Sequence, residues 1–411
     1  MRIVKRIIED VRKNGDKAIL KYNKLFDNNN SSRFQLTKKQ IQEAYKKIDN
    51  NSLVILKQAA KNIRYFAKNQ LKQFKNFNLK RKYGTIGQKI IPLENVGCYV
   101  PGGNYPLPST ALMTVIPAKV AGVRQVIVCS PRIKPITIVA ADLAGADKIF
   151  NIGGVQAIAG MTCGTEQIPK VDKIVGPGNK YVTEAKRMLF GEVGIDFIAG
   201  PSEVLIIADK TGIPKFIAAD MLSQAEHDIE AKANLLTTSS KIAKEVTKEL
   251  KIQLEKLKTK EIARKALKNG KIKIVNRLIE AVAIANKVAP EHLELQIKNP
   301  NKIIRKLKNY GSLFIGNYSA EVLGDYCSGP NHTLPTNGAA KYASGLSIKD
   351  FIKIVTYQRI NRRKGKELTS LAAKLAEIEG LEGHKQAALI RIEKETLLNK
   401  QNLNKSSKEE S

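Results

Sequence analysis

Apolar positions recur at helical spacing through the opening of the chain, to about Lys80. Ile3, Ile7 and Val11, then Ile19, Tyr22, Leu25 and Phe26, mark one face of an amphipathic helix. Asn50-Asn51-Ser52 supplies a helix-start region before a further apolar face over Leu53 to Phe74. From Thr85 the pattern changes. Short β-branched runs alternate with helix-length segments: Val126-Cys129, Lys148-Ile152, Lys173-Val175, Val204-Ala208, Asn234-Thr237, Lys271-Val275 and Leu313-Ile315. That alternation predicts βαβ units and mostly parallel strands, and the strand count fits two sheets better than one. After Gly345 no further strand runs are read. Leu346 to Leu398 is predicted as helices with polar connections, and 399–411 as a disordered polar tail. The expected fold class is α/β, with two Rossmann-like parallel or mixed-sheet domains, a helical N-terminal segment and a small helical C-terminal tail subdomain.

Glycines gather in the loops between these runs. Tyr99-Val-Pro-Gly-Gly-Asn, Gly153-Gly154-Val-Gln156, Gly176-Pro-Gly178-Asn179 and Ala199-Gly-Pro-Ser202-Glu203 follow one another. Any one of them reads as a tight turn. Four in succession read as a ligand site at the carboxyl ends of strands, where backbone can approach a phosphate or a ring. The dinucleotide fingerprint GxGxxG is absent, because Tyr181 stands where its third glycine would be.

Composition changes this picture little. The chain has 411 residues, 43% of them hydrophobic, enough for large cores. The most apolar stretch, Ala111 to Pro131, is broken by Pro117, Lys119 and Arg124, so it does not read as a membrane span. No secretory apolar run opens the chain. Cys98, Cys129, Cys163 and Cys327 form no CxxC pair and read as reduced thiols of a cytoplasmic protein, which argues against a thiolate metal site. The formal charge of +32 could mark a phosphate footprint. The excess is dispersed lysine, however, and no RNP signature, zinc finger or aromatic-basic interleaving accompanies it. It reads as solvated faces, with no specific nucleic-acid or membrane partner.

Candidate chemistry lies with the histidines. There are four, each flanked by carboxylates or amides: His227 in SQAEHD, His292 in APEHLEL, His332 in GDYCSGPNHTLPT and His384 in EGLEGHKQAA. Gln224 and His227 are three apart in a segment read as helical, Phe216 to Glu230. They would present an amide oxygen and an imidazole nitrogen on one face, as a metal requires. Asp325 and His332 belong to a Gly- and Pro-rich loop, where turn chemistry is the competing reading. His384 lies on a tail helix five residues after Glu379. Nitrogen and oxygen donors without sulfur suit zinc, and also manganese or cobalt. Glu291 and His292 are adjacent and could serve two proton transfers at one place. The competing reading there is a helix start after Pro290.

The run IDFIAGPSEV followed by DMLSQAEHD, together with VGCYVPGG, GTEQIPKVDKIVGPGNKYV, APEHLEL, GDYCSGPNHTLPT and EGLEGHK, resembles the histidinol dehydrogenase family. The resemblance covers about residues 1 to 395. It implies an NAD-dependent alcohol and aldehyde dehydrogenase of histidine biosynthesis. L-Histidinol would be oxidised through the aldehyde to L-histidine, reducing two NAD. It implies a zinc ion in each subunit, held by Gln224, His227, Asp325 and His384, with His384 and Glu379 supplied across a homodimer. Substrate would meet Ser202, Glu379 and His332 as well as Gln224, His227, His292, Asp325 and His384. Tyr99, Gln156 and Asn179 would contact NAD. His292 would take the hydroxyl proton and Glu291 would activate water. On this basis 1–98 is the N-terminal helical part of the first α/β domain and 99–202 an inserted NAD-binding domain. The remainder of the first domain is 203–345, with the metal and catalytic residues, and 346–398 is a helical tail contacting the partner subunit. Family members usually carry a short segment before the helix that begins here at Met1. Cys327 stands where a small residue is usual. A related enzyme acting on a different alcohol is the alternative within the class. His332, Glu379 and His384 favour an imidazole-bearing substrate.

Overall fold

The computed structural model of the chain describes residues 1–102, 105–198 and 200–393. Gly103, Asn104 and Ala199 of the glycine-rich loops, and the polar tail expected at 399–411, lie outside the described residues. Three helices open the chain: α1 (Arg2–Asp27), α2 (Lys38–Lys46) and α3 (Asn50–Leu71). A hairpin of β1 (Phe77–Arg81) and β2 (Gly84–Pro92) follows. Alternating elements come next: β3 (Asn95–Tyr99), α4 (Pro108–Ala121), β4 (Gln125–Cys129), α5 (Pro135–Ala144), β5 (Lys148–Phe150), α6 (Gly154–Cys163), β6 (Lys173–Val175), α7 (Lys180–Leu189) and β7 (Gly194–Ile195). A further alternating set is β8 (Glu203–Ala208), α8 (Pro214–Ala225), β9 (Lys232–Thr237), α9 (Ser240–Leu254), α10 (Lys260–Ala266), β10 (Ile272–Ile274), α11 (Leu278–Val288), β11 (His292–Gln296), α12 (Asn301–Ile304), β12 (Ser312–Ile315) and α13 (Glu321–Tyr326). The described chain ends with β13 (Ile352–Ile360), α14 (Lys366–Ile378) and α15 (Glu382–Glu393).

Residues 1–73 and 92–352 form one compact unit. It holds two parallel sheets of the same strand order, β5-β4-β3-β6-β7 and β10-β9-β8-β11-β12. Each begins at its central strand, moves outward over two strands, and then returns to the other side. The two Rossmann-like sheets expected from the pattern are therefore present.

The central strands of the second sheet, β8 and β11, are buried along their whole length. This fits near-continuous apolar strands covered by helices on both faces. The two faces have separate cores. Leu205, Ile207, Leu293 and Leu295 meet Val282 and Ala285 of α11. Val204, Ile206 and Leu235 meet Ile217, Met221 and Val246 of α8 and α9.

The first sheet has a different cover. Val4, Ile7, Val11, Ile19 and Tyr22 of α1 pack with Phe150, Ile158, Met161, Val182 and Leu189. Each such side chain contributes about 1.5–3 kcal/mol relative to an exposed one. The opening helix thus packs on the first sheet and its helices. Its apolar stripe matches the face that α6 and α7 leave open. α1 is kinked at Gly15, whose φ of +50° only glycine adopts freely, and it ends on Asn28 in the left-handed region.

Residues 74–91 and the chain from 353 onward form a second unit. Strand order there is β1-β2-β13, with β1 and β2 antiparallel, and α14 packs on α15. β13 corrects the expectation that strands cease after Gly345. Its side chains are mostly exposed, so the run carries no apolar signal. Among the described residues no helix is long and apolar enough to cross a membrane.

Candidate active site

The second sheet carries its polar cluster at the amino edge of its strands. β11 begins at His292, opposite Val204 of β8 and Ser312 of β12. Pro290-Glu291 is therefore a strand entry, not a helix start. Alternation along β11 sends Leu293 and Leu295 into the apolar core and leaves His292, Glu294 and Gln296 on the other face, all buried. α8 runs back against the sheet, so its carboxyl end returns to this same edge. It stops at Ala225, so Gln224 sits in its last turn and His227 lies just past it. Asp325 is held on the short helix α13 rather than in an open loop.

These elements bring six of the expected residues together: Gln224, His227, Glu291, His292, Asp325 and His332. His292 Nε2 lies 3.3 Å from Asp325 Oδ1, and its Nδ1 lies 3.4 Å from the Glu203 carbonyl oxygen. Glu291 Oε2 accepts the Glu203 backbone N–H at 2.9 Å and stands 3.7 Å from His292 Nδ1. The Gln224 amide nitrogen lies 3.3 Å from His227 Nδ1, while its buried Oε1 has no hydrogen-bond partner. His332 Nδ1 donates to the Asp325 carbonyl at 2.9 Å, and its Nε2 meets the Thr110 hydroxyl at 3.2 Å. Ser202 stands half-buried at the entry to β8.

Burial and charge set the ionisation of this cluster. Burial pushes the Glu291 carboxyl up to about 7, against the attraction of His292. Burial opposes a charged His292, but the carboxylates of Glu291 and Asp325 outweigh it and push its pKa up to about 10. Burial likewise opposes ionised Asp325, yet the bond from His292 and the nearby His332 and His227 hold it below the usual carboxylate range. Burial lowers both His227 and His332, which favours neutral rings with lone pairs to give.

Behind this cluster lies a layer of carboxylates not singled out from sequence. Gln296 Nε2 donates to Asp220 Oδ2 at 3.0 Å and to Glu294 Oε2 at 3.3 Å. The Ser223 hydroxyl donates to Glu321 Oε1 at 2.6 Å, and the Glu321 backbone N–H donates to Glu294 Oε1 at 3.2 Å. Burial pushes Glu321 up to about 8 and Asp220 up to about 6. The legible signal was the polar alternation in His292-Leu-Glu294-Leu-Gln296, a strand whose polar face is buried. Because the folded pKa of Glu321 lies above its ordinary value of 4.5, its contribution to stability is full below about that pH and lost as pH rises through about 8. Glu321→Gln is expected to melt higher than the parent at pH 9, with the gap shrinking below pH 5. Thermal denaturation at the two pH values checks it.

The other glycine-rich loops close on the first sheet, at the carboxyl ends of its strands. The crevice between β3 and β6, where the strand order reverses, is the ligand position of such sheets. Gly176 has φ +112°, and a Cβ there would overlap the Tyr99 carbonyl oxygen. The Tyr99 hydroxyl accepts the Gly154 N–H at 3.0 Å. Gln156 is buried; its Nε2 donates to Asn23 Oδ1 at 3.4 Å, while its Oε1 has no partner. Asn179 caps α7, its oxygen accepting from Tyr181 and Val182 N–H groups. The loop is pinned from beneath by the buried pair of Lys186 and Asp196.

His384 lies on α15 and Glu379 at the end of α14, both exposed in the second unit. Among the described residues no three His, Cys, Asp or Glu side chains form a metal-holding group. The expected ligand set draws only two of those types, His227 and Asp325, from the larger unit.

The family model described as histidinol dehydrogenase matches residues 1–392. A histidinol dehydrogenase of Methanocaldococcus jannaschii is 46% identical over 394 residues, spanning 95% of this chain and 92% of that protein. One of Bacillus cereus is 48% identical over 399 residues, spanning 96% and 93%. The crystal structure of histidinol dehydrogenase from Elizabethkingia anophelis superposes with a TM-score of 0.92 at 39% identity, covering 97% of this chain and 92% of that one. With most of its length matched both in sequence and in fold, the chain belongs to the histidinol dehydrogenase family.

Proposed function

We propose that the chain carries out the metal-assisted, four-electron oxidation of L-histidinol through L-histidinaldehyde to L-histidine, with two NAD reduced in turn. The observation that carries this reading is the meeting of Gln224, His227, Asp325 and His292 at one strand edge, with the Gln224 Oε1 buried and unpartnered. A buried amide oxygen without a donor is costly, and a cation satisfies it. Neutral imidazole, amide oxygen and carboxylate are the donor set that zinc accepts in a catalytic site. The residues present therefore fit such an ion, with Gln224, His227 and Asp325 from one subunit and His384 from the partner subunit. Exposed apolar residues on the second unit, Leu371, Leu375, Ile378 and Ile390, support a homodimer. Four free cysteines support a reducing, cytoplasmic setting.

When bound, zinc would fix the amino alcohol in place and NAD would accept hydride. His292 takes the hydroxyl proton as the carbon-bound hydrogen departs as hydride. With Asp325 engaged by a cation, His292 loses part of the charge that holds its proton, so its neutral form is reached at lower pH. Glu291, buried and pushed up to about 7, takes a proton from water as that water adds to the aldehyde. His292 then takes a hydroxyl proton of the hydrate during the second oxidation. His332, with both ring nitrogens engaged, holds the Asp325 backbone on the substrate side. Ser202 and the partner's Glu379 complete the substrate contacts. Tyr99, Gln156 and Asn179 line the dinucleotide crevice, which the unpartnered Gln156 Oε1 and the strand-order reversal support.

The test combines metal analysis with product stoichiometry: two NADH per L-histidinol, in protein carrying one zinc per subunit. One NADH per histidinol, or none, would overturn the reading. His384→Asn is expected to lower zinc content and activity together. Unchanged zinc in that variant would remove His384 from the ligand set.

A further inference from the structure

We propose that Asp27, the last residue of α1, is the ribose-reading carboxylate of the dinucleotide site and sets the preference for NAD over its 2′-phosphorylated counterpart. The inference rests on the dinucleotide reading given above. Sheet order β5-β4-β3-β6-β7 is that of a mononucleotide-binding half, with β3 as its first strand and β4 as its second. In that topology an acidic residue near the end of the second strand binds the adenosine ribose hydroxyls, and an arginine there accommodates a 2′-phosphate instead. Here β4 ends at Cys129 and continues Ser130-Pro131-Arg132, without an acid.

The missing carboxylate arrives from another element. α1 packs across the sheet and delivers its carboxyl end to this corner. Asp27 Oδ1 stands 3.8 Å from Arg132 Nε. The Asp27 side chain is 11% exposed, while that of Arg132 is 60% exposed. The carboxylate is thus held in place, and the guanidinium has room to move. Arg132 has φ +46°, a conformation costly for a residue with a Cβ, so the backbone itself fixes the base of this side chain.

Two further groups point to a ligand at the same corner. Asn23, one turn before Asp27 on α1, is fully buried, and its Nδ2 has no partner. Gln156 Oε1 is likewise buried and unpartnered. The Asn23 and Gln156 side chains touch each other, and Gln156 neighbours Gly154, whose N–H the Tyr99 hydroxyl accepts. A ribose diol offers two donors to a carboxylate. A 2′-phosphate would bring like charge against Asp27 while Asp27 holds Arg132.

The test uses ADP-ribose and 2′-phospho-ADP-ribose as probes on zinc-loaded protein, with binding read by calorimetry. The parent is expected to bind ADP-ribose at least about tenfold more tightly. Asp27→Ser should lose most of that preference by weakening ADP-ribose and strengthening the phosphorylated probe. Arg132→Ala added to it should remove the gain. An Asp27→Ser protein with an unchanged affinity ratio overturns the assignment. Hydrogen exchange separates the two levels. Protection of segments 99–102 and 153–160 by ADP-ribose, with an unchanged ratio, keeps the crevice and discards Asp27. No protection there discards both.

Discussion

Replacing His292 with glutamine is expected to lower turnover by roughly two to four orders of magnitude while leaving zinc content and fold intact. His292 opens β11 in the middle of hydrogen-bonded strands, and its ring is buried against Phe314 at 5.9 Å between centroids. Glutamine keeps a polar group of similar reach toward Asp325 but cannot hold and release a proton near neutral pH. The loss should therefore appear in turnover for both oxidations, with little change in the KM for histidinol. The pH profile supplies a second readout. The acid limb that reports deprotonation of His292 in the parent should vanish from the residual activity. Loss of zinc from the variant would instead move His292 among the metal ligands. Glu291→Gln offers the contrast. It should spare oxidation of the alcohol and slow oxidation of the aldehyde, because only the second stage needs water activated.

Asp196→Ala is expected to destabilise the protein by about 3–5 kcal/mol, the cost of leaving one member of a buried ion pair alone. Side-chain exposure is 4% for Lys186 and 1% for Asp196. The pair is also tied into the backbone. Asp196 accepts the N–H groups of Gly176 and Phe197, each at 2.7 Å, and Lys186 donates to the Gly176 carbonyl at 3.0 Å. Removing the carboxylate strands the Lys186 charge and frees the loop that carries Asn179. Denaturant unfolding measures the first effect, and a raised KM for NAD measures the second. The neighbouring pair Arg187–Glu184 is a control. Its arginine is 59% exposed, so Arg187→Ala should cost less than about 1 kcal/mol. A loss below 1 kcal/mol in Asp196→Ala as well would show that the buried pair does not hold this loop.

Most of the two sheets was legible because buried parallel strands are written as apolar runs. Val126-Cys129, Lys173-Val175 and Val204-Ala208 fall within β4, β6 and β8. β11 was not read as a strand, because His292, Glu294 and Gln296 interrupt its apolar residues. A strand that turns a polar face into a site loses the very signal by which buried strands are recognised. β1 and β13 were missed for a different reason. Phe77 to Arg81 is exposed throughout, and a solvated strand obeys no apolar pattern.

The site divides along similar lines. Motif resemblance singled out His227, His292, His332 and Asp325, and the fold brings them to one edge. It did not single out Glu294, Glu321 or Asp220, since a lone acidic residue in a helix or strand reads as solvated. Only the packing of α8 and α13 over β11 shows that these three are buried together. Asp27 was equally silent, because nothing along the chain ties the end of α1 to the end of β4.

The polar cluster and the dinucleotide crevice lie at opposite strand ends of two different sheets, an arrangement that bears on residence times. A reaction that consumes two dinucleotides per substrate needs one ligand to exchange while the other waits. On the proposed reading, contacts from β8, β11 and α8 would govern how long the aldehyde stays, and contacts from β3, β6 and α7 how long the dinucleotide stays. The two dissociation rates can then be tuned separately. A substitution that quickens dinucleotide release need not leak aldehyde into solution.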